Sequence, residues 1–211
     1  MDEGSGTVIA NAHPWTAQQP NVGARFADPP GDPAWVAAGR FGSALRFSAI
    51  ALNDTDRIYA TILHPNDSMS VGAHSIEMWV NPMPTFPHDL ELFSTTGGQQ
   101  SGRMDYLLKF VRTGGQGSFH LQLRSGGFGE TMMSPMVELG TYHHVVMSYQ
   151  PGTAPLLFVD GTSVRASQTV SGTVENLVFQ ALTLYEGDAD ELHLTFHPFT
   201  EQELLDRWCP P

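Results

Sequence analysis

The stretch SFHLQLR, residues 118–124, decides the fold class, because apolar and polar side chains alternate along it. Successive side chains of a β-strand point to opposite faces, so Phe119, Leu121 and Leu123 share one face. The other face carries the four polar residues: Ser118, His120, Gln122 and Arg124. Residues 142–149 alternate in the same way. Such alternation is typical of strands that are buried on one face only.

Strand-like segments recur at short intervals along the chain. The predicted strands lie near residues 7–10, 44–49, 57–63, 74–81, 90–95, 105–111, 118–124, 133–138, 142–149, 155–159, 163–168, 180–185 and 189–196. Glycine-rich turns separate them, and Asp160-Gly161 suits a tight hairpin. Thr200 and Glu203 form a capping box that predicts a short C-terminal helix. The pattern predicts one all-β domain over residues 1–211, folded as an antiparallel sandwich.

The amino-acid composition disfavours some classes of binding partner. The formal net charge is −12 with only ten Lys and Arg, whereas phosphate binding needs clustered cations. Nucleic acid and anionic membrane surfaces are therefore disfavoured. No apolar run is long enough to span a bilayer, which argues against membrane insertion. The one cysteine, Cys209, excludes a disulfide framework within the chain.

Acids occupy every second position of the stretch YEGDADELHL, residues 185–194. On a strand, Glu186, Asp188 and Asp190 share one face. Three carboxylates on one face are costly unless a cation, water or a shared proton neutralises them. A bound metal ion, a solvated surface and an active site are the three open interpretations.

Six segments resemble, in order, the laminin-G-like jelly-roll domain of the concanavalin A-like lectin/glucanase superfamily. They are DEGSGT at 2–7, GRFGSALRF at 39–47, SIEMWVNP at 75–82, GTYHHVVMSY at 140–149, LFVDG at 157–161 and GDADELHL at 187–194. The resemblance covers nearly the whole chain and implies a jelly roll of two stacked antiparallel sheets. Tyr142 replaces the usual tryptophan, and Asp188 stands where an aromatic or aliphatic residue is usual.

The resemblance implies a non-catalytic module that recognises a glycan or a protein surface. Members of the family work outside the cell or on its surface, often within longer multidomain proteins. The family aspartate at the position of Asp190 often holds a structural calcium together with the N-terminal segment. Calcium prefers six to eight oxygen ligands, so we expect a site formed by Asp190, Asp2 and Glu3.

Two other functions remain open. Glu186, Asp188 and Glu191 follow the spacing E-x-D-x-x-E, which resembles the acid signature of a glucanase group with the same fold. This alternative is a polysaccharide hydrolase or lyase, in which two carboxyl groups about 5–5.5 Å apart perform retaining chemistry. That signature has large apolar residues between its acids, whereas Gly187 and Ala189 stand here. The third possibility is an assembly or adhesion domain without a small ligand.

Loops on a rigid sandwich are the usual location of binding residues. Phe128 lies in the glycine-rich stretch SGGFGE at 125–130, where an aromatic ring can stack on a sugar. Arg103, Arg112 and Gln116 lie in or beside neighbouring glycine-rich loops and offer guanidinium and amide groups. These four are the predicted ligand-binding residues, and a mobile hairpin tip is the competing interpretation for each.

Overall fold

The computed structural model of the protein describes residues 9–10, 21–22, 34–47, 59–61, 70–84, 89–95, 104–125, 128–175 and 178–208. Its strands are β1 Ile9–Ala10, β2 Asn21–Val22, β3 Ala34–Gly39, β4 Gly42–Phe47, β5 Tyr59–Thr61, β6 Ser70–Val71, β7 His74–Pro82, β8 Leu90–Thr95, β9 Met104–Thr113, β10 Gln116–Ser125, β11 Phe128–Met133, β12 Val137–Glu138, β13 His143–Tyr149, β14 Leu156–Val159, β15 Thr162–Arg165, β16 Val174–Glu175, β17 Val178–Leu184 and β18 Gly187–Thr195. The helix is α1, Glu201–Trp208.

Two antiparallel sheets of seven strands each form the sandwich, as the sequence predicts. The first sheet has the order β15-β14-β13-β7-β18-β4-β3, and we call it the helix-side sheet because α1 packs on it. The second has the order β11-β10-β9-β8-β17-β5, with β12 paired to β10, and we call it the open-side sheet. Strands β1 and β2 form one small ribbon, and β6 and β16 form another.

The core lies between the two sheets and is filled by the inward half of each alternating strand. Phe119, Leu121 and Leu123 of β10 are buried in it, which confirms the face predicted from the alternation. The facing sheet supplies residues such as Leu45, Met78, Val145 and Met147. Burial of these side chains is the main stabilising contribution to the fold.

Helix α1 closes part of the outer surface of the helix-side sheet. Leu204 of α1 is buried against outward side chains of β13 and β14, namely Val146, Leu156 and Phe158. The predicted capping box forms, because the Thr200 backbone N–H donates to Glu203 Oε2 at 2.7 Å and the Glu203 N–H donates to Thr200 Oγ1 at 3.3 Å.

The structure confirms one predicted hairpin turn and corrects the predicted position of one strand. Asp160 and Gly161 join β14 to β15 with φ angles of 47° and 82°, which confirms the predicted tight turn. The predicted strand at 133–138 is wrong in position, because β11 already begins at Phe128, a residue expected in a loop. Ser125 pairs with Phe128, so only two residues separate β10 from β11. The connection between these strands is therefore shorter than the glycine-rich sequence suggests.

In the described ranges, no helix is long and apolar enough to cross a membrane.

Candidate functional site

Asp188 and Asp190 lie on the outer face of the helix-side sheet, on either side of the core residue Ala189. Arg46 of the neighbouring strand β4 neutralises Asp188 with two hydrogen bonds. Its Nε donates to Oδ1 at 2.7 Å and its Nη2 donates to Oδ2 at 2.9 Å. The fork-like pairing is strong and directional. Arg46 therefore compensates the charge of Asp188.

Asp190 is fully buried and binds the turn between β3 and β4. Its Oδ2 accepts a hydrogen bond from the Phe41 backbone N–H at 3.0 Å, and its Oδ1 accepts one from the Glu191 N–H at 2.9 Å. A Cβ atom at Gly39 would lie 2.8 Å from Oδ2, so only glycine permits this approach. Within the described ranges no cationic side chain forms an ion pair with Asp190. The aspartate thus joins β18 to a distant hairpin through backbone contacts.

The glucanase-like spacing falls on a distorted part of β18. Glu191 and Leu192 both oppose Met78 of β7, because the register shifts between Asp190 and His193. Glu191 takes a φ of 50°, as the first residue of a bulge can. Its carboxylate lies 3.1 Å from His193 Nε2. Structural ion pairs therefore account for two acids of the spacing, Asp188 and Glu191.

Glu77 is the centre of a buried charge network beneath α1. Its Oε1 accepts a hydrogen bond from His144 Nε2 at 2.8 Å, and its Oε2 accepts one from Arg207 Nη1 at 2.7 Å. Burial alone raises the pKa of Glu77, but hydrogen bonds from His144 and His193 and the charge of Arg207 outweigh it and bring the pKa to about 2. This network holds the last turn of the helix on the sheet.

Aromatic rings complete the closure of this face. The Trp79 ring stacks on His144 with centroids 4.8 Å apart, and Trp208 of α1 stacks near Trp79 at 5.8 Å. The Arg40 guanidinium lies 4.8 Å from the Trp79 ring centroid. These tryptophans are consequently packed against protein groups rather than displayed for a ligand.

The outer face of the open-side sheet is arranged differently. Cross-strand pairing places two rows of side chains across β8, β9, β10 and β11. The first row is Glu91, Lys109, His120 and Met133, and the second is Ser94, Leu107, Gln122 and Thr131. Their neighbours Leu108 and Leu121 point into the core, so both rows point outward. We call these eight residues the open face.

The open face is polar, and its side chains are half-buried or exposed. Gln122 makes no side-chain hydrogen bond to any described group, so its amide can donate and accept. His120 Nε2 lies 2.8 Å from Ser118 Oγ. Burial, together with the charge of Lys109, lowers the pKa of His120. A neutral imidazole has one donor and one acceptor nitrogen, and with Nε2 engaged by Ser118 the remaining nitrogen can pair with a hydroxyl group.

The four predicted ligand-binding residues do not form one cluster. Arg112 pairs with Gly117 at one end of β10, where its Nε donates to the Gly114 carbonyl oxygen at 2.8 Å. Gln116 is at the same end. Phe128 pairs with Ser125 at the other end, roughly 27 Å away by the rise of about 3.3 Å per strand residue. The side chain of Phe128 lies outside the described part of the chain. So do Arg103 and the expected calcium ligands Asp2 and Glu3.

Sequence reasoning missed the open face as a site. Alternation assigned His120 and Gln122 to a polar strand face, but any solvated strand gives the same signal. Lys109 and Thr131 join them only through the register of β9 and β11. No local signal shows which of the two outer faces receives the helix, so the sequence did not identify the face that the described residues leave without a helix.

The comparison with protein families gives a clear assignment. The sequence model of the concanavalin A-like lectin/glucanases superfamily matches residues 54–192. The chain belongs to this superfamily. No curated protein sequence gives a significant match.

Solved structures share the fold at low sequence identity. Tailspike protein 2 of Escherichia coli O157:H7 bacteriophage CAB120 gives a TM-score of 0.61 at 12% identity, over 83% of this chain and 26% of that one. The binding domain of Paraclostridial Mosquitocidal Protein 1 gives 0.60 at 11% identity, over 88% and 47%. Domain 4 of AbnA, an extracellular arabinanase of Geobacillus stearothermophilus solved with arabinotriose, gives 0.54 at 18% identity, over 82% and 79%.

Proposed function

We propose that this chain is a non-catalytic glycan-binding module of a longer protein, acting outside the cell or on its surface, and that the open face is its binding surface. The observation that carries the proposal is the contrast between the two outer faces. One is closed by α1 and its aromatic stack, whereas the other presents two rows of hydrogen-bonding side chains. The match of domain 4 of AbnA, solved with arabinotriose, supports a role in sugar recognition.

The chemistry of the open face favours a sugar over a protein partner. Protein interfaces usually depend on a buried apolar centre with tryptophan, tyrosine or arginine anchors. The open face contains two apolar residues, Leu107 and Met133, and the latter is 58% exposed. The other six side chains carry hydroxyl, amide, imidazole, ammonium or carboxylate groups. Groups of this kind match the many hydroxyls of a glycan.

The proposal that the chain is part of a longer protein rests on its neighbours. It spans 26% of the tailspike protein chain and 47% of the Paraclostridial toxin chain. In both, a domain of this fold occupies one part of a larger structure. We infer the same arrangement here, with the module bringing its parent protein to a carbohydrate-bearing surface.

A glycan array tests the proposed function. We expect the unmodified chain to bind a subset of glycans, and Gln122→Ala to reduce that signal because a donor and an acceptor are lost from the centre of the open face. Gln202→Ala is the matched control, since Gln202 is an exposed glutamine on α1. Binding that is unaffected by Gln122→Ala would contradict the proposal that the open face is the binding surface. A blank array with the folded chain would remove the glycan function.

We further propose a structural calcium at Asp190, with Asp2 and Glu3 as the remaining acidic ligands. The support is the fully buried carboxylate of Asp190, which accepts one amide hydrogen on each oxygen and has no cationic partner among the described side chains. Each oxygen retains a further acceptor site. The described residues contain no group of three His, Cys, Asp or Glu suited to a metal ion, and the proposed partners Asp2 and Glu3 lie outside the described ranges. Calcium bound there would offset the buried negative charge.

A further inference from the structure

We propose that the open face binds an uncharged glycan, an inference that rests on the proposed glycan function. The bound part is an internal stretch of about three or four sugar units that lies across strands β8 to β11. Two independent features of the open face lead to this ligand class: the balance of its charges and the spacing of its rows.

Among the described residues, the two cations on or beside the open face, Lys109 and Arg124, each have an acidic neighbour. Lys109 Nζ binds Asp89 Oδ2 at 2.7 Å, and Lys109 also pairs across strands with Glu91. At the edge of the same face, Arg124 pairs across strands with Asp105. A carboxylate or sulfate on a sugar would therefore meet a compensated cation at Lys109 and a cation with an acidic cross-strand neighbour at Arg124. The chain as a whole carries −12, which adds a general repulsion toward anionic glycans.

The remaining polar groups of the two rows are uncharged hydrogen-bonding groups. Gln122 and Thr131 are direct cross-strand neighbours in the second row, and Ser94 completes it beyond Leu107. In the first row His120 contributes an imidazole between Lys109 and Met133. Amide, hydroxyl and imidazole groups recognise sugar hydroxyls by geometry rather than by charge.

The rows run perpendicular to the strands, and this sets the length of the ligand. Neighbouring strands lie about 4.8 Å apart, so four strands span roughly 14 Å. One strand spacing is close to the advance of one sugar unit in an extended chain. Each sugar of an extended glycan can thus meet the side chains of one strand, in both rows at once. An open strip of this kind accepts a chain at its middle, whereas recognition of a terminal sugar requires a pocket.

Calorimetric titration of oligosaccharide ladders tests the inference. The neutral probes are cello-, xylo-, manno- and arabino-oligosaccharides of two to six units, and the acidic probes are oligogalacturonates of the same lengths. For the neutral series that binds, we expect affinity to rise at least about tenfold from two to four units and then to level off, because hydrogen bonds are added until the strip is filled. Oligogalacturonates should bind at least about tenfold more weakly than that series, and added salt should leave the neutral affinity unchanged.

Variants connect the length dependence to the open face. Gln122→Ala and Thr131→Ala should each weaken binding of the tetrasaccharide about five- to tenfold, and Gln202→Ala on α1 should not. Affinity that is independent of length, or tighter binding of the acidic ladder, would overturn this inference while leaving a glycan-binding function in place. Failure of every neutral and acidic probe to bind the folded chain would overturn both.

Discussion

His143 shows how one buried side chain is held by its surroundings at the residue scale. Its Nδ1 lies 2.6 Å from Asp160 Oδ2, and its Nε2 lies 2.6 Å from the Glu138 carbonyl oxygen. Both partners are hydrogen-bond acceptors, so the geometry favours the imidazolium form, which donates from both ring nitrogens. Burial lowers the pKa of His143, but the hydrogen bonds to Asp160 and to the Glu138 carbonyl outweigh it and raise the pKa above its usual value of 6.5.

This geometry predicts a pH-dependent contribution to stability. Because the folded-state pKa is raised, the contribution of His143 is fully present below about pH 6.5 and is lost as the pH rises through the folded-state pKa. Urea unfolding of the unmodified chain and of His143→Gln should differ by about 1–3 kcal/mol in mild acid, with a smaller difference at high pH. A difference that stays constant across the pH range would contradict the charged state.

Gly39 provides a second residue-scale prediction, which concerns Asp190. A Cβ atom there would lie 2.8 Å from Asp190 Oδ2 and 2.9 Å from the Ala44 backbone nitrogen. We expect Gly39→Ala to lower the free energy of unfolding by about 1–3 kcal/mol, because backbone atoms cannot move aside cheaply. Gly115→Ala is the matched control, since nothing lies within 4 Å of a Cβ atom at that position. Equal stability of the two variants would show that Asp190 is not packed against the β3–β4 turn.

The sequence predicts less at this scale than at larger ones. Alternation and the E-x-D-x-x-E spacing identified Asp188 and Asp190 as unusual, but their partners lie at Arg46 and Phe41, far away in the chain. Nothing local indicates that an arginine rather than a metal ion faces Asp188. Only the pairing of β18 with β4 brings Arg46 and Asp188 together.

At the scale of elements, helix α1 depends on Glu77. The folded-state pKa of Glu77 is about 2, below the usual 4.5, so its stabilising contribution is present above about pH 4.5 and is lost as the pH falls toward 2. We expect α1 to loosen in this window, with a change in near-ultraviolet circular dichroism as Trp208 leaves Trp79.

Comparison with Glu77→Gln isolates this contribution. At pH 7 the variant should be less stable by about 1–3 kcal/mol, because the charge-assisted bonds to Arg207 and His144 are weakened. The difference from the unmodified chain should shrink as the pH falls from 4.5 to 2. Glu203→Gln serves as a control for the helix cap, which titrates in the same window. A difference that does not shrink in acid would contradict the network.

Most elements were predictable because they depend on local chemistry. Alternation located β10 and β13, and the capping box located α1. The error at β11 has a physical cause. The glycines around Phe128 suggest a loop. Because the connection is only two residues long, the residues from Phe128 onward pair with β10. Glycine content alone does not give the length of a turn.

At the scale of the whole molecule, the calcium proposal predicts a dependence of stability on divalent ions. A ligand that binds only the folded state raises the melting temperature, so chelation should lower it by several degrees. Calcium should restore the original midpoint, and Asp190→Asn should abolish the response. Identical midpoints with calcium and with chelator would remove the metal from the account.

The fold as a whole was predictable, whereas the proposed binding surface was not. Six segments in order identified the sandwich, and the five of them that the structure describes contribute residues to the core or to a turn. The surface depends on which outer face α1 covers, and that is fixed by contacts such as Leu204 with Phe158 and Arg207 with Glu77. Those contacts join residues far apart in the sequence. The predicted loop residues Arg112 and Phe128 lie on β9 and β11, beside opposite ends of β10.

The most direct test of the central claim is nuclear magnetic resonance mapping of the bound glycan. The isotopically labelled chain would be titrated with the neutral tetrasaccharide selected in the ladder experiment. The account predicts that shift changes concentrate on Lys109, His120, Gln122 and Thr131 and leave α1 unaffected. Changes centred on the Asp190 end of the helix-side sheet would contradict it.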